Sequence, residues 1–510
     1  MKKILINETP WQTRVAIIRG EELQNVYFWA HATENLERSF YKGVVTKILP
    51  GIQTAFVDIG KERAGFLHIS EIDRELAVDR MTTTGQFEDI EEEDGTPAPK
   101  KRVARQSLDI SKIFHEGEAI LVQVSKEPVK EKGAKLSTCF TLPGRFLVLM
   151  PNIARIGISK KIESKEERQR LRDLIQENLP QGMGAIIRTP AENQGSTEIL
   201  ADLNYLVSIW KNITTKFKEA EPKEKIYEDI DLSLQAVRDH LDYDVEQVIS
   251  DNEENQARVY KFVKNIAPEH AAKVMLYQGP PSLFDKYNIE TQIEQALQRK
   301  VYLRSGGSII IETTEAMTVV DVNTGRYIGQ TNLEDTILKT NLEAAEEVVR
   351  QLRLRNIGGL IVIDFIDMAS GGNRSKLYRF FEKTLKERDK FQSVVLKVSE
   401  FGLVQMTRKR SGKTLINQLM HQCITCHGLG FVKSVSNEAY TVLRALRQDF
   451  DSKKISGNVT ITLHPAIFNY ITSTEYNTIL YLEKQYKCKI VLSSKESNAI
   501  HTYKVEKTVK

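Results

Sequence analysis

Thr318-Val-Val-Asp-Val-Asn-Thr-Gly325 and Leu360-Ile-Val-Ile-Asp-Phe-Ile-Asp367 each place an acidic residue inside a run that otherwise reads as buried β-strand. A carboxylate is costly in such surroundings unless something neutralises it, so Asp321 and Asp364 are expected to share a cation. Two ionised carboxylates at about 4 Å repel by roughly 4 kcal/mol at an effective dielectric of 20, and a divalent metal turns that repulsion into attraction. Hard oxygen ligands suit Mg²⁺, with Mn²⁺ as an alternative, over zinc. Asn323 lies two residues beyond Asp321, on the same strand face, where its amide can orient the carboxylate. Taken singly, either aspartate is equally well read as a helix cap or a salt-bridge partner. Asp367, three residues past Asp364, should face away and act as a cap.

A second constellation is Cys423-Ile-Thr-Cys426-His-Gly-Leu-Gly430, a thiolate pair on a glycine-flanked turn with the spacing of structural zinc knuckles. Four-coordinate zinc needs two further ligands, and the chain holds no second pair of this kind. Either His421 or His427 completes the site or a second chain brings its own cysteines. The string also matches covalent haem attachment and a redox dithiol, but the chain lacks the exported or thioredoxin-like context those need. Arg408-Lys-Arg-Ser-Gly-Lys413 just upstream is a dense basic stretch, read as a solvated face or a phosphate clamp.

The acids require elements that bring them together. Thr331-Asn-Leu-Glu334 has the spacing of a capping box, and apolar residues from Leu333 through Ile337, Leu342, Ala345, Val348 and Val349 to Leu352 recur near every 3.6 positions. Asn356 with Gly358 and Gly359 should stop that helix. Strand, helix and strand make a parallel crossover, and ligands of such sheets sit beyond the carboxyl ends of the strands, where both aspartates fall. Tyr302 to Glu312 reads as a hairpin leading into the Asp321 strand.

Upstream, Tyr41–Leu49, Gln53–Gly60, Arg63–Ser70, Ala119–Ser125 and Leu136–Phe140 read as five short strands, suggesting a closed barrel of the OB type. Phe56 and Phe66, with Lys42, Lys47, Lys61, Arg63 and Lys132 around them, offer base stacking and phosphate contacts of the kind single-strand binders use. The competing reading puts both rings in the barrel core, with Val57 turned outward. Glu88 to Arg102, an acidic block then a basic one across a Pro/Gly break, cannot support a packed core and reads as a disordered insert. Leu142–Pro151 and Met183–Pro190 are strand-like with a charged helix from about Ser164 to Asn178 between them, and Arg188-Thr189 pairs a guanidinium with a hydroxyl in a way that suits a phosphate. Glu219 to about Leu297 reads as mostly helical.

At 510 residues the chain is too long for one core, and a prior of about 150 residues per domain suggests three or four units. A net charge of +4 over this length names no polyanionic partner by itself, so local clusters must carry that argument. Four cysteines are too few for a disulfide framework, and no segment approaches the roughly 20 apolar residues of a membrane span. The basic opening Met1-Lys-Lys is followed by only a short apolar run, unlike a signal peptide, so a cytoplasmic location is expected.

Together these segments resemble the ribonuclease E/G family. The resemblance covers nearly the whole chain and is carried by Gly43 to Ser70, Gly182 to Thr189, Ser305-Gly-Gly-Ser308, Asp321-Val-Asn-Thr-Gly325, Asn341-Leu-Glu-Ala-Ala345, Arg350 through Met368, Phe401-Gly-Leu403 with Met406-Thr-Arg408, and the cysteine knuckle. It implies a magnesium-dependent endoribonuclease that cuts single-stranded, AU-rich RNA with a preference for a 5′-monophosphate, leaves 5′-phosphate and 3′-hydroxyl ends, and serves ribosomal RNA maturation and messenger decay. The rival function is a non-catalytic RNA-binding or ribosome-assembly factor whose aspartates are structural.

By the resemblance, Asp321 and Asp364 are metal-binding catalytic residues and Asn323 orients the former. Phe56, Phe66 and Lys132 grip RNA, and Gly144, Val148, Arg188 and Thr189 form the 5′-phosphate sensor. A further basic contact of that pocket falls near Gln392 and is not carried over. Cys423 and Cys426 match a structural Zn²⁺ link shared between protomers of a homodimer or homotetramer, with Ile424 where the family usually has proline. The implied architecture is α/β multidomain. An RNase H-like subdomain (1–36 with 234–296) accepts an OB-type barrel (37–140, insert about 72–114). A sensor region (141–233), a DNase I-like catalytic subdomain (297–418), the zinc link (419–432) and a small C-terminal α/β domain (433–510) follow. Asp-Val-Asn-Thr-Gly, and the absence of a long disordered scaffold after the knuckle, are similar to the shorter ribonuclease G branch.

Overall fold

The computed structural model describes residues 2–73, 109–128, 132–324, 333–399, 401–410, 412–452, 454, 456–496 and 503–507. It divides into two compact units, Met1–Leu415 and Ile416–Lys510. Thr331 and the Glu88 to Arg102 segment lie outside the described residues.

Within the first unit, an α/β arrangement surrounds a closed five-stranded barrel. Its strands are β1 (Phe40–Leu49), β2 (Thr54–Asp58), β3 (Gly65–His68), β4 (Ala119–Lys126) and β5 (Lys135–Ser137). They run in the order β1, β2, β3, β5, β4, and β4 pairs back onto β1 to close the ring. All five strands expected from sequence form, because Val45, Ala55, Val57, Leu67, Val122, Val124 and Leu136 supply a buried face at every second position. Ile110, Ile113 and Phe114, placed within the expected insert, belong instead to this core.

A separate five-stranded sheet combines Lys2–Glu8, Gln12–Arg19 and Glu22–Ala30 with Val245–Ser250 and Val274–Leu276. The latter two strands correct the mostly helical expectation for Glu219 to Leu297. Val245–Ser250 is short and pairs in parallel with Lys2–Ile6, a long-range contact that local periodicity does not reveal. After the barrel in sequence, Leu147–Met150 pairs with Gly184–Ile187, and the helices Lys165–Asn178 and Ser196–Glu219 cover that small sheet.

The sheet that carries Asp321 and Asp364 is built on β6 (Lys300–Tyr302), β7 (Ser308–Thr313), β8 (Met317–Asn323), helix α1 (Leu333–Leu354), β9 (Gly359–Asp364), helix α2 (Gly371–Arg388), β10 (Ser393–Val395) and β11 (Leu403–Arg408). Sheet order is β6, β7, β8, β9, β11, β10, and only β8 with β9 is parallel. Helix α1 is the crossover, and its Ala345, Val348, Val349 and Leu352 lie in the same core as Val320, Ile361 and Ile363. The chain leaves it through Asn356 at φ 50° and Gly359 at φ 101°, the stop expected from sequence.

In the second unit, β12 (Val459–Leu463) pairs in parallel with β13 (Ile490–Ser494) and antiparallel with β14 (Lys504–Lys507), and helices Val435–Asp451, Pro465–Thr474 and Tyr476–Tyr486 accompany this sheet. Among the described residues no helix is long and apolar enough to cross a membrane.

Candidate active site

Asp321 and Asp364 face each other as the last register pair of the parallel ladder between β8 and β9. Paired strands lie about 4.8 Å apart, so register partners present side chains to one face at close range. Asn323 donates from Nδ2 to Asp321 Oδ2 at 2.9 Å, as its two-residue spacing requires. The Asp364 carboxyl is pushed above the usual carboxylate range, first by burial and then by the charges of Asp321 and Asp367.

Asp367 corrects its expected role. Strand β9 ends at Asp364, so alternation no longer applies beyond it, and the charge of Asp367 reaches back to the pair. The cap of α2 is Ser370, whose hydroxyl accepts from Asn373 N. The capping box expected at Thr331 lies outside the described residues, and the Glu334 carboxylate accepts from Ala369 N at 2.9 Å and from Asn373 Nδ2 at 3.0 Å.

Two mutually repelling carboxylates with an amide steering one of them fit a hard divalent cation and offer nothing to a soft one. Among the described residues no group of three or more His, Cys, Asp or Glu side chains is arranged to hold a metal, so water or substrate oxygens would have to complete the coordination.

On the barrel, Phe56 and Phe66 are direct cross-strand partners and both are half-buried, whereas Val57 and Leu67 are fully buried. This overturns the core reading, because alternation gives the interior to Ala55, Val57 and Leu67 and turns the rings outward. Lys47 lies opposite Phe56 and is exposed. Lys132 is exposed beside β3, where Phe66 N donates to Ala134 O at 2.9 Å and a Cβ on Gly133 would stand 2.0 Å from Ala64 O. Lys42 and Lys61 are engaged elsewhere: Lys42 donates to Ala220 O over the Phe217 ring, and Lys61 pairs with Glu34.

The residues named for a phosphate sensor also meet. Arg188 donates to Gly144 O at 2.5 Å, Val148 pairs with Ile186, and the Thr189 hydroxyl is 2.9 Å from Ser159 Oγ. A Cβ on Gly144 would sit 2.5 Å from the Asp202 carboxylate, which accepts from the backbone N–H groups of Arg145, Phe146 and Leu147. Burial raises the Asp202 carboxyl against those bonds.

Arg188 also donates to Asp239 Oδ1 at 2.9 Å. Burial would raise the Asp239 carboxyl, but the Arg238 and Arg188 charges outweigh it and hold this group far below the ordinary range. Lys390 donates to Asp239 O at 2.7 Å, and burial with the nearby Lys2 charge pushes its ammonium down to about 7. Asp202, Asp239 and Lys390 were not found from sequence. Each meets the Gly144 to Thr189 cluster through folding, with only its charged type as a signal.

A match to the Ribonuclease E/G family model covers residues 141–411, which include both aspartates and the Gly144 to Thr189 cluster. The chain belongs to the ribonuclease E/G family. A second match, to the thioredoxin-like domain of RNase E/G, spans residues 422–508. Similarity to ribonuclease G of Escherichia coli strain K12 is 37% identity over 495 residues, covering 96% of each chain. For ribonuclease G of Haemophilus influenzae it is 37% over 478 residues, covering 94% of this chain and 93% of that protein. Ribonuclease E of Escherichia coli strain K12 is 33% identical over 517 residues, covering 99% of this chain and 46% of that protein.

In the second unit Cys423 and Cys426 lie on an open turn. His427 N donates to Cys423 O at 2.9 Å, and His427 itself adopts φ 49°. Backbone N–H groups of Cys426 and Thr425, aimed at the Cys423 sulfur, lower its pKa to about 7, which favours the thiolate. Neither His421 nor His427 forms a three-ligand group with the cysteines among the described residues. Ile424, Leu429 and Phe431 around the turn are 88%, 75% and 85% exposed, an apolar collar that no described residue covers.

Proposed function

We propose that this chain is an endoribonuclease that hydrolyses single-stranded RNA with Mg²⁺ held by Asp321 and Asp364. The observation that carries the reading is the register pairing of those two carboxylates at the ends of adjacent parallel strands, with Asn323 bonded to the first. A divalent ion bound there supplies a water of lowered pKa and positive charge against the phosphodiester oxygens. Asn323 fixes the Asp321 oxygens. Phe56 and Phe66 give bases a stacking platform on the barrel, Lys132 meets the backbone charge, and recognition by stacking favours unpaired, AU-rich stretches.

Arg188 and Thr189 receive a 5′-monophosphate, with Gly144 and Val148 shaping the approach. Water as nucleophile leaves a 5′-phosphate and a 3′-hydroxyl. The substrates on this reading are precursors of ribosomal RNA and messengers in the cytoplasm. The subdomain names implied by the resemblance, RNase H-like and DNase I-like among them, are proposed with it. So is a Zn²⁺ link: two cysteines supply half a tetrahedral site, and a second protomer supplies the other half in a homodimer or homotetramer.

The test is Asp321→Asn, assayed on a 5′-monophosphorylated single-stranded oligonucleotide with Mg²⁺ and with end-group analysis of the products. Lost cleavage with retained RNA binding is expected. Unchanged cleavage, or cyclic phosphate ends, would refute the assignment.

A further inference from the structure

Among the described residues, the segment between Asp364 and the start of α2 has no strand partners. Asp364 pairs with Asp321 on one side and with Leu403 on the other, and both ladders stop there. The next polar backbone groups must be satisfied by something else. Asn341, on α1 and fully buried, does this for Ile366: its Nδ2 donates to Ile366 O at 2.8 Å and its Oδ1 accepts from Ile366 N at 3.0 Å. One amide side chain thus stands in for a neighbouring strand, and only an amide offers a donor and an acceptor at that spacing.

The same helix holds the segment again two turns away. Glu334, seven residues before Asn341 and therefore on the same face, takes Ala369 N and Asn373 Nδ2. Arg374 donates to Met368 O at 2.7 Å, and Phe365 and Met368 are buried in the core. Gly402 approaches from the far side, where a Cβ would stand 2.8 Å from Asp367 Oδ1. Since α1 is also the crossover from the Asp321 strand, its two clamps fix the Asp364 end of the pair relative to the Asp321 end.

We propose that Asn341 is a positioning residue of the metal centre: by clamping the Ile366 backbone it holds Asp364 in the orientation that lets both carboxylates grasp one divalent ion. The inference rests on the metal-dependent reading above. The register pair brings the two acids together, and α1 holds the chain immediately past Asp364, where both ladders end. Groups that orient metal ligands typically change affinity or activity by about 10- to 100-fold when removed.

The experiment compares the full-length chain with Asn341→Ala, Asn341→Ser, Thr340→Ala and Asp321→Asn. Thr340 is buried next to Asn341, but its hydroxyl donates to Thr336 O within the helix and, among the described residues, makes no bond to the Asp364 segment, so it controls for general damage to α1. Mn²⁺ affinity is read from the free-ion EPR signal without RNA, alongside the Mg²⁺ concentration for half-maximal cleavage, metal-free RNA binding and thermal melting. Asn341→Ala should weaken Mn²⁺ binding and raise the Mg²⁺ requirement by about tenfold or more while RNA binding is unchanged. Asn341→Ser, which keeps a polar group but is too short to make either bond to Ile366, should also weaken Mn²⁺ binding, and carries the test if the alanine variant does not fold. Wild-type Mn²⁺ affinity in both Asn341 variants overturns the inference, as does an equal loss in Thr340→Ala. Unaltered Mn²⁺ binding in Asp321→Asn would instead overturn the metal-site reading itself, so the two failures are distinguishable.

Discussion

Replacing Asp364 by Asn should stabilise the metal-free protein while abolishing its response to magnesium. As register partners on strands about 5 Å apart, Asp321 and Asp364 repel by roughly 3 kcal/mol at an effective dielectric of 20. Asp364 is exposed, so solvent screening reduces the figure to about 1 kcal/mol. Removing one charge recovers that amount. In the wild type, Mg²⁺ at a hundredfold excess over its dissociation constant adds about 2.7 kcal/mol. Denaturant melts in EDTA and in Mg²⁺ should therefore cross: Asp364→Asn more stable than wild type without metal, less stable with it.

The pH dependence has a definite sign. The folded-state pKa of Asp364 is raised, so the native state holds its proton more tightly than the unfolded chain. The penalty is absent below the unfolded carboxylate pKa, develops as pH rises through the raised folded value, and is complete at neutral pH. The advantage of Asp364→Asn in EDTA should shrink on acidification. A variant less stable than wild type in EDTA, or one with an undiminished Mg²⁺ increment, would refute the account.

Three further outcomes follow from the geometry. Asp389→Ala should destabilise the first unit by about 3–5 kcal/mol in chemical denaturation, because Asp389 and Arg408 pair at 2.6 and 3.0 Å with side chains 1% exposed and the arginine would be left buried and unpaired. Phe56→Ala or Phe66→Ala should weaken binding of a single-stranded oligonucleotide by about 1–3 kcal/mol per stacked base in fluorescence anisotropy, with little change in melting since both rings are half-exposed. Cys423→Ser should lower both zinc content by elemental analysis and oligomer mass by light scattering, and a variant that stays zinc-replete and dimeric would exclude the shared link.

How far these sites could be read from the chain alone depended on the range of the interactions that define them. Asp321 and Asp364 were legible because an acid stands out in an apolar strand run, and the helical period of Leu333 to Leu352 already implied a parallel crossover, but the expected burial was wrong: both fall at strand ends, where Asp364 is exposed and Asp321 half-buried. The barrel strands announced themselves by alternation. The outward aim of Phe56 did not, since period two allows either face until Val57 and Leu67 claim the interior.

Local pattern failed where the partner lies far along the chain. Val245–Ser250 became a strand only by pairing with Lys2–Ile6, Asp239 reached Arg188 from 51 residues away, and Asn341 met Ile366 across the crossover. The sequence by itself determined which side chains could hold a cation, stack a base or ligate zinc, because those capacities are properties of residue type and short spacing. Only the tertiary structure decided which of them face one another and what holds them in place, because register, burial and the clamps on strand ends arise from contacts that form after distant segments pack.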